Sequence, residues 1–461
     1  MLQMIRRTLK EIQKMVNGYG LAEKFETIIA EGVVIDSREA VAGNLYIPII
    51  GARANGHSFS KNAVKNMGAV ATLWQKDQPN IPQNMPVIMV EDTKIALQQL
   101  AIAYKNELNM KVIGITGSNG KTSTKDILAS VLATTYKVHK TPGNFNSEFG
   151  MPLTLLLAPS DTEIVVLEMG MRGLGQIKLL SDMANPDVSV ITCIGEAHIA
   201  ELGSRENISI AKFEITSGLS EDGVFVYHGD EPLLQERIAE SNPKFKMIPF
   251  GDCASNDYYP TSIDVEGHGM VFTIPQSNLQ FNLSVLGKHN VMNTLAAIAV
   301  ARHFNVTFEN IKAGLTQVGM SKMRMEITHA KNGLMIIDDS YNSSPTSVRA
   351  TLDLLYSLTG YEKKIVVLAD MLELGEEKIA YHREIGEYID PNEIDALLTY
   401  GNTARYIAIA ANSTAKLEQA QHFNDKLALA KELESLSSAK DVCLIKGSRG
   451  MALEDVINAL K

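Results

Sequence analysis

The chain has 461 residues, a formal net charge of −10, 45% hydrophobic residues and 21% charged residues. The length predicts about three domains. The acidic balance argues against a broad nucleic-acid-binding surface, although a local cationic pocket for a nucleotide remains compatible with it. The three cysteines, Cys193, Cys253 and Cys443, are far apart, which argues against a disulfide framework or a zinc site and is typical of a reducing compartment.

The sequence also argues against export and membrane insertion. Basic residues near the N-terminus alternate with apolar ones at helical spacing and lack the continuous apolar stretch of a signal peptide. The longest apolar run, residues 295–301, is too short to span a bilayer. We therefore expect a cytoplasmic protein that does not enter membranes and binds no nucleic acid.

Residues 1–107 form the first predicted unit. After an opening helix, two short β-type runs at 32–38 and 44–49 are bounded by Gly, Asp or Pro, and a helix at 63–68 precedes a strand at 69–74. Ser37 and Arg38 place a hydroxyl beside a guanidinium at a strand end, which suits a diphosphate or a uracil edge. Taken alone, they fit better an ordinary turn with a solvated arginine.

A helix at 93–109 leads into the second unit, residues 108–325, which opens with KVIGITGSNGKTS at 111–123. An apolar strand, a glycine turn and a helix at 121–136 predict a phosphate cradle, because turn N–H groups and the helix dipole then face one anion. Lys121 would reach the β- and γ-phosphates, and the Thr122 hydroxyl is a candidate Mg²⁺ ligand. Ile115 replaces the first glycine of the standard motif, so an ordinary βα turn is the alternative. The cradle residues are Thr116, Gly117, Ser118, Asn119, Gly120, Lys121, Thr122 and Ser123.

Polar residues follow the next segments of this unit. The amides of Asn144 and Asn146, in the loop 141–150, could cap a turn or hold a polar substrate. Unbroken apolar runs at 164–167 and 188–194 predict parallel strands, and they are followed by Glu168 and His198. Because ligands of open α/β sheets bind beyond the carboxyl ends of strands, these two side chains are candidate metal ligands beside the cradle.

Two helices of the second unit carry further candidates. Lys212 lies on a helix at 206–219 and, judged alone, is an ordinary surface lysine. Asn290 and Asn293 are three residues apart in a helix that ends near His303, so both amides face one side. They could recognise an adenine edge, or Asn290 could cap the helix.

The third unit spans residues 326–461. Strands at 334–337, 364–368, 396–399 and 442–445 alternate with helices, which predicts a mostly parallel sheet. Two polar loops, 338–345 and 446–450, follow strands of this sheet, and the second could bind an anion.

Taken together as an ordered series, these motifs resemble the Mur ligases of peptidoglycan synthesis over essentially the whole chain. The matching pieces are residues 36–38, 56–57, the cradle, 143–146, 168–170, 197–198, Lys212, 214–215, His289, Asn290, Asn293, Arg324, 339–342, 370–375 and 446–449. The resemblance implies an α/β protein of three domains. These are a small mixed α/β UDP-binding domain, a central P-loop-type ATPase domain with a mostly parallel sheet, and a C-terminal Rossmann-like domain.

The resemblance further implies an ATP-dependent amide ligase that adds D-Ala-D-Ala to UDP-N-acetylmuramoyl-tripeptide through an acyl phosphate. Two alternatives stay open. One is another amino-acid ligase of this scaffold, such as one that extends folate with glutamate, although a UDP-sugar module has no use there. The other is a non-catalytic nucleotide-binding scaffold protein of the cell wall, which the intact Lys121, Glu168, His198 and Lys212 disfavour.

Roles for individual residues also come from the resemblance, in a chain expected to be monomeric. It assigns catalysis to Lys121, His198, Lys212 and Arg324. It assigns two Mg²⁺ ions to Thr122, Glu168, His198 and Lys212, with Lys212 carbamylated. Asn290, Asn293 and Asp339 would contact the nucleoside of ATP, and Arg324 its γ-phosphate. Ser37 and Arg38 would hold the UDP end of the substrate, and Asn144, Asn146 and Asn342 its peptide or the dipeptide.

A few positions depart from the pattern of that family. Glu196 stands where proline is expected before Ala197 and His198, and Ser343 and Ser344 replace an Ala-Asn pair. We expect such departures to affect contacts with the substrates and not the class of reaction.

Overall fold

The computed structural model describes residues 4–415, 417 and 419–461, and their strands form five sheets. Each of the ranges 1–107, 108–325 and 326–461 contains a parallel or mostly parallel sheet flanked by helices. The expected α/β class and the three-part architecture are confirmed. None of the helices in the described residues is long and apolar enough to cross a membrane.

The N-terminal part has one small parallel sheet and one β-ribbon. Its strands are β1 Arg6–Thr8, β2 Ile29–Glu31, β3 Val33–Val34, β4 Leu45–Tyr46, β5 Ala71–Gln75 and β6 Val87–Val90. Its helices are α1 Leu9–Met15, α2 Ser60–Lys65 and α3 Thr93–Leu108. Strands β3 to β6 pair in chain order, all parallel, and β1 pairs antiparallel with β2.

The central part is built on a six-stranded parallel sheet with the order β12-β11-β10-β7-β9-β8. These strands are β7 Lys111–Thr116, β8 Val138–Lys140, β9 Ile164–Glu168, β10 Val188–Ile191, β11 Val224–His228 and β12 Lys246–Phe250. A three-stranded antiparallel sheet follows, formed by β13 Ser262–Glu266, β14 Gly269–Thr273 and β15 Phe281–Leu283. The helices are α4 Lys121–Leu132, α5 Gly150–Leu156, α6 Gln176–Ala184, α7 Ile199–Leu202, α8 Arg205–Phe213, α9 Pro232–Ser241, α10 Lys288–His303 and α11 Phe308–Leu315.

The C-terminal part has a second six-stranded sheet, ordered β16-β17-β21-β18-β19-β20, in which only β16 is antiparallel. Its strands are β16 Glu326–His329, β17 Met335–Asp339, β18 Lys364–Ala369, β19 Ala396–Tyr400, β20 Ala420–Phe423 and β21 Val442–Lys446. Its helices are α12 Pro345–Ser357, α13 Lys378–Tyr388, α14 Arg405–Ala410, α15 Lys426–Leu436 and α16 Glu454–Leu460.

The central sheet is covered on both faces, as continuous apolar strands require. One face packs against α4 and α10, and the small alanine side chains of α10 allow the two helices to approach closely. The other face shares a core with α3, α5, α6 and α8, so α3 joins the N-terminal part to the central part. This packing fixes the carboxyl ends of β7, β9 and β10 side by side at one edge.

Several predicted boundaries were wrong in detail. The helix predicted at 63–68 is α2, three residues earlier, and the one predicted at 121–136 ends at Leu132. The α-helix predicted at 206–219 ends at Phe213 and continues as a short 3-10 helix, Glu214–Thr216, in which the Glu214 carboxylate accepts the N–H groups of Gly175 and Lys178 at the start of α6. Asp338, Asp339 and Lys446, predicted in loops, belong to β17 and β21, because the pairing of these strands continues to the Asp339–Lys446 pair.

Candidate active site

The turn between β7 and α4 has the backbone that a phosphate cradle needs. Gly117 has φ +153° and Gly120 has φ +80°, a region that side chains rarely occupy. A Cβ atom on Gly117 would lie 1.8 Å from Thr192 Oγ1, and one on Gly120 would lie 2.4 Å from Asn293 Oδ1. Glycine at both positions therefore suits the backbone conformation and the space beside the turn, as the predicted phosphate cradle needs.

Lys121 begins α4 directly after this turn. Its ammonium folds back and donates to the Gly117 carbonyl oxygen at 2.8 Å. Burial lowers the pKa of Lys121. A bound phosphate would give the Lys121 ammonium an anionic partner, which forms a stronger hydrogen bond than the neutral Gly117 carbonyl does.

Glu168 lies at the end of β9 and joins three parts of the site. Its Oε2 accepts the Thr122 hydroxyl at 2.8 Å, and its Oε1 accepts the Asn146 amide at 2.8 Å. The ammonium of Lys125 is 4.0 Å from Oε2 in a fully buried setting. A hydroxyl and a carboxylate thus lie together beside the cradle, and these hard oxygen donors are the type that Mg²⁺ prefers.

Lys212 is not the surface lysine that its helix alone suggests. It lies in the last turn of α8, and only 1% of it is exposed. Burial, and then repulsion from Lys121, holds the pKa of Lys212 well below its ordinary value. Its amine makes no hydrogen bond or ion pair with another residue in the described part of the chain.

His198 follows β10 and has a left-handed backbone, with φ +67°. Burial lowers its pKa to about 4, together with repulsion from Lys121 and Lys212. The ring is therefore neutral at pH 7 and keeps one nitrogen lone pair for a ligand. Its Nδ1 lies 3.0 Å from Oε2 of Glu373, a residue of the C-terminal part, but without the alignment of a hydrogen bond.

Two cavities meet at this edge of the sheet. Cavity A, of about 220 Å³, is lined by the cradle, by α10 and by the start of α12. Cavity B, of about 730 Å³, is lined by Glu168, His198, Lys212 and the loop 144–149. Lys121, Arg324 and Asn342 line both. A group bound in one cavity would therefore contact the same cation as a group bound in the other.

The two asparagines of α10 have different positions. Asn293 lines cavity A, whereas Asn290 is buried behind it and accepts the Asn293 amide at 3.1 Å. Asn290 does not cap the helix, because the cap position is Gly287, and its own amide donates to Leu286 O at 2.8 Å. Asn290 thus orients Asn293, and only Asn293 faces the space where a nucleotide would lie.

The connection to the C-terminal part supplies Arg324, Asp339 and Asn342. Arg324 lies between two residues with left-handed backbone, Met323 and Met325, and its guanidinium stacks 4.4 Å from the Tyr341 ring centre. In cavity A, Asp339 pairs with Lys446 at 2.5 Å.

Asn144 and Asn146 line cavity B. Of the cradle residues, Thr116 is fully buried and bonds to Met169 O, so it supports the turn from below.

Ser37 and Arg38 lie elsewhere. Arg38 pairs with Asp36 at 2.5 Å, and 86% of its side chain is exposed. Neither residue lines cavity A or B. A third cavity of about 560 Å³ in the N-terminal part, cavity C, is lined instead by residues that include His57, Lys61, Lys65, Trp74 and Gln78. Of these five residues, the sequence motifs had singled out only His57.

Other residues at the site were missed as functional candidates. Glu373 and Thr346 reach it from the C-terminal part, and Arg172, His228 and His289 line the cavities. The motif 370–375 was the only sequence signal for Glu373.

No group of three His, Cys, Asp or Glu that could hold a metal ion occurs within residues 4–415, 417 and 419–461. Thr122, Glu168 and His198 nevertheless offer oxygen or nitrogen donors at this edge of the sheet, and Lys212 would do so only with a modified amine.

Comparisons with known proteins give consistent results over the whole chain. Three family models match, described as Mur ligase family, catalytic domain at residues 30–105, Mur ligase middle domain at 115–301, and Mur ligase, glutamate ligase domain at 323–449. The UDP-N-acetylmuramoyl-tripeptide–D-alanyl-D-alanine ligase of Bacillus subtilis is 46% identical over 99% of both chains. Among solved structures, MurF from Acinetobacter baumannii is 28% identical with a TM-score of 0.88 over 99% of both chains. MurF from Thermotoga maritima in complex with ADP is 29% identical with a TM-score of 0.80, over 93% of this chain and 96% of that one.

Proposed function

This chain belongs to the Mur ligase family, and from that premise we propose that it is an ATP-dependent, ADP-forming ligase that adds D-Ala-D-Ala to UDP-N-acetylmuramoyl-tripeptide. The full-length similarity to ligases of that name supports the substrates, and the ADP complex of a similar structure supports the nucleotide. The observation that carries the proposal within this chain is that Lys121, Arg324 and Asn342 line both cavities. A phosphate tail in cavity A and an acid in cavity B would meet at these residues.

The reaction has two balanced steps. In the first, a carboxylate oxygen of the tripeptide attacks the γ-phosphorus of ATP, the bond to the β–γ bridging oxygen breaks, and ADP leaves. In the second, the amine of D-Ala-D-Ala attacks the acyl carbon, the acyl–oxygen bond breaks, and inorganic phosphate and a proton are released. Phosphoryl transfer of this kind requires mainly positioning and neutralisation of charge.

Cavity A would hold the nucleotide. The turn N–H groups and Lys121 would neutralise the phosphates, with Lys121 exchanging the Gly117 carbonyl for a phosphate oxygen. Asn293, oriented by Asn290, would contact the base, and Asp339 the ribose. Arg324 would reach the γ-phosphate, since its guanidinium borders both cavities.

The residues present fit Mg²⁺, because the Thr122 hydroxyl and the Glu168 carboxylate already lie in contact and His198 keeps a free nitrogen. These three residues and a modified Lys212 would hold the ions. When bound, the ions neutralise phosphate and carboxylate oxygens and so reduce repulsion between the two anions. Asn146 keeps Glu168 in place through Oε1.

Lys212 is proposed to carry a carbamate. A protonated ammonium has no lone pair and repels a metal ion. Burial favours the free amine, which can attack CO₂, form an N–C bond, lose a proton and become an anion with two oxygen donors. The absence of any partner for this amine in the described residues leaves room for such a modification.

The peptide end of the substrate would occupy cavity B, beside Asn144, Asn146 and Asn342. The uridine end belongs to the N-terminal part, with Ser37 and Arg38 as contacts if Arg38 exchanges Asp36 for a diphosphate. We place the enzyme in the cytoplasm as a monomer without a nucleic-acid partner, in keeping with its UDP-linked precursor and its net charge of −10.

The test is phosphate release from ATP with UDP-N-acetylmuramoyl-tripeptide and D-Ala-D-Ala, with each component omitted in turn. Tripeptides with lysine and with meso-diaminopimelate at the third position are both used. We expect release that requires all three components, is lost in Lys121→Ala and is kept in Lys178→Ala, a change of an exposed lysine. Release with glutamate and a folate instead would favour the folate-type ligase, and no release with any acceptor would favour a non-catalytic protein.

A further inference from the structure

The loop 370–375 of the C-terminal part reaches across to the central part. The carbonyl of Glu373 accepts the Ala200 N–H at 3.2 Å, and a Cβ atom on Gly375 would lie 3.3 Å from Ala200 Cα. The Glu373 carboxylate lies 3.0 Å from Nδ1 of His198, two residues before Ala200. The loop therefore contacts the segment that carries a proposed metal ligand, through its backbone and through a side chain.

The loop itself is held firmly. The Asp370 carboxylate accepts the backbone N–H groups of residues 402, 403 and 404 at 2.7–2.9 Å. Ser448 Oγ accepts the Leu372 N–H at 2.9 Å. Glu373 has φ +62°, a left-handed conformation that is unfavourable for a residue with a side chain. Such a conformation persists where the surroundings determine it, so the position of Glu373 is fixed by the fold.

We propose that Glu373 is a positioning residue, which takes the Nδ1–H of His198 and so leaves Nε2 free for a ligand in cavity B. A neutral imidazole has one N–H, and the partner of one nitrogen decides which lone pair remains. Carboxylates commonly play this part for metal-binding histidines. The inference rests on the proposed function for the role of His198.

The proposal also connects the site to the docking of the C-terminal part. The Nδ1–Oε2 distance suits a hydrogen bond, but the angles do not, so a small rotation of either side chain would complete it. Because the carboxylate comes from one part and the imidazole from another, His198 is oriented only while the two parts are in contact. Cavity B then becomes ready for the metal when the C-terminal part is docked.

The experiment compares Glu373→Ala and Glu373→Gln with Glu373→Asp as the conservative change. Glu376→Gln is the matched control, an exposed carboxylate on the same stretch that forms no ion pair within the described residues. One readout is the tautomer of His198 from two-bond ¹H–¹⁵N correlations in full-length protein, with the signal assigned by His198→Gln. The other is the dissociation constant for Mn²⁺ in the presence of ADP, measured by electron paramagnetic resonance.

We expect the wild type and Glu376→Gln to show the tautomer with the proton on Nδ1. Glu373→Ala should show a mixture of tautomers and a Mn²⁺ dissociation constant raised about 10-fold, Glu373→Gln a smaller change, and Glu373→Asp partial recovery. A wild-type tautomer and Mn²⁺ affinity in Glu373→Ala would overturn the proposal. Neither readout needs turnover, so a wild type without phosphate release would count against the proposed function alone.

Discussion

Glu196 and Thr346 join the central part to the C-terminal part. The Glu196 carboxylate accepts the Thr346 backbone N–H at 3.2 Å and its hydroxyl at 2.7 Å, at the N-terminus of α12. Glu196 is one of the positions that depart from the family pattern, and another, Ser344, caps α12 and bonds to Asn119 of the cradle at 3.3 Å. These two departures thus lie together at the interface next to cavity A.

We predict that Glu196→Ala weakens this interface and, with it, nucleotide binding. A hydrogen bond to a charged group contributes about 1.5–3 kcal/mol, and the helix N-terminus also loses a favourable anion. The KM for ATP should therefore rise about 10-fold, with a smaller rise in Glu196→Gln, which keeps an acceptor. The measurement is steady-state phosphate release at varied ATP.

The control for this prediction is Glu201→Gln, an exposed carboxylate in the first turn of α7. An ATP dependence of Glu196→Ala equal to that of Glu201→Gln would mean that the interface does not support the nucleotide site.

Gly120 and Gly175 allow a test of the cradle with the backbone conformation held constant. Both have φ +80° and both occupy the N-cap position of a helix. A Cβ atom on Gly120 would lie 2.4 Å from Asn293 Oδ1, whereas one on Gly175 would meet nothing within 4 Å. The change to alanine therefore strains both backbones alike, and only Gly120→Ala displaces a residue of cavity A.

We expect Gly175→Ala to lose about 1–2 kcal/mol of stability and Gly120→Ala at least as much. Only Gly120→Ala should weaken ADP binding, by about 10-fold or more, in isothermal titration calorimetry. Equal ADP affinities for the two variants would contradict the assignment of this turn to phosphate binding.

The environment of His382 leads to a prediction of how the free energy of unfolding depends on pH. The ring is fully buried, its Nε2 accepts the Met371 N–H at 3.0 Å, and its Nδ1 lies 2.6 Å from Lys378 O. The Nε2 contact needs a neutral ring, because that nitrogen accepts, whereas the Nδ1 contact needs only a proton on Nδ1. Burial lowers the pKa of His382 from its ordinary value of 6.5. As pH falls through 6.5, the unfolded chain binds a proton that the folded chain refuses, so the folded state loses stability down to the folded pKa.

The measurement is the free energy of unfolding in urea between about pH 7.5 and 5. The wild type should lose stability across this window, and His382→Gln should show a flatter dependence, although it starts from a lower value. The exposed His268, changed to glutamine, serves as the control and should keep the wild-type slope. An unchanged slope in His382→Gln would place the acid sensitivity elsewhere.

The sequence was sufficient to predict the arrangement around the cradle. Apolar runs before Glu168 and His198 predicted parallel strands, and both strands flank β7 in the sheet. What the sequence could not predict are contacts between residues far apart in the chain, such as Glu373 with His198 and Glu196 with Thr346. Nothing in the local pattern of one segment indicates which surface of another part it will face.

A neighbouring charge determines where the Arg38 side chain lies. The guanidinium of Arg38 pairs with Asp36, two residues away, at 2.5 Å, so the predicted contact of Arg38 with a diphosphate requires an exchange of partners. This pairing also lowers the pKa of Asp36 to about 2. For Lys212 the reverse occurred, because helical spacing indicated a surface position whereas tertiary packing buried the amine. Its environment could be read only from the assembled fold.

Lys212 gives the last prediction. If its carbamate supplies anionic oxygens to the site, Lys212→Ala should lose activity by about 100-fold or more, which corresponds to about 2.7 kcal/mol of transition-state stabilisation. Short carboxylic acids such as formate or acetate should restore part of it, because they can place a carboxylate in the space that the lysine leaves. Lys212→Arg should not recover, since a guanidinium remains charged and cannot form the carbamate.

The control is Lys244→Ala, which removes an exposed, ion-paired lysine. This variant should keep wild-type activity, and added carboxylic acid should not change that activity. Wild-type enzyme in buffer freed of CO₂ and bicarbonate should lose activity and regain it when bicarbonate is added, and mass spectrometry under mild conditions should detect the added CO₂. Full activity of Lys212→Ala without any acid would refute the carbamate. If Lys212→Ala loses activity that acids do not restore, and if bicarbonate does not affect the wild-type activity, Lys212 would instead act as a cation in the site. The buried, unpaired amine of Lys212 argues against that role.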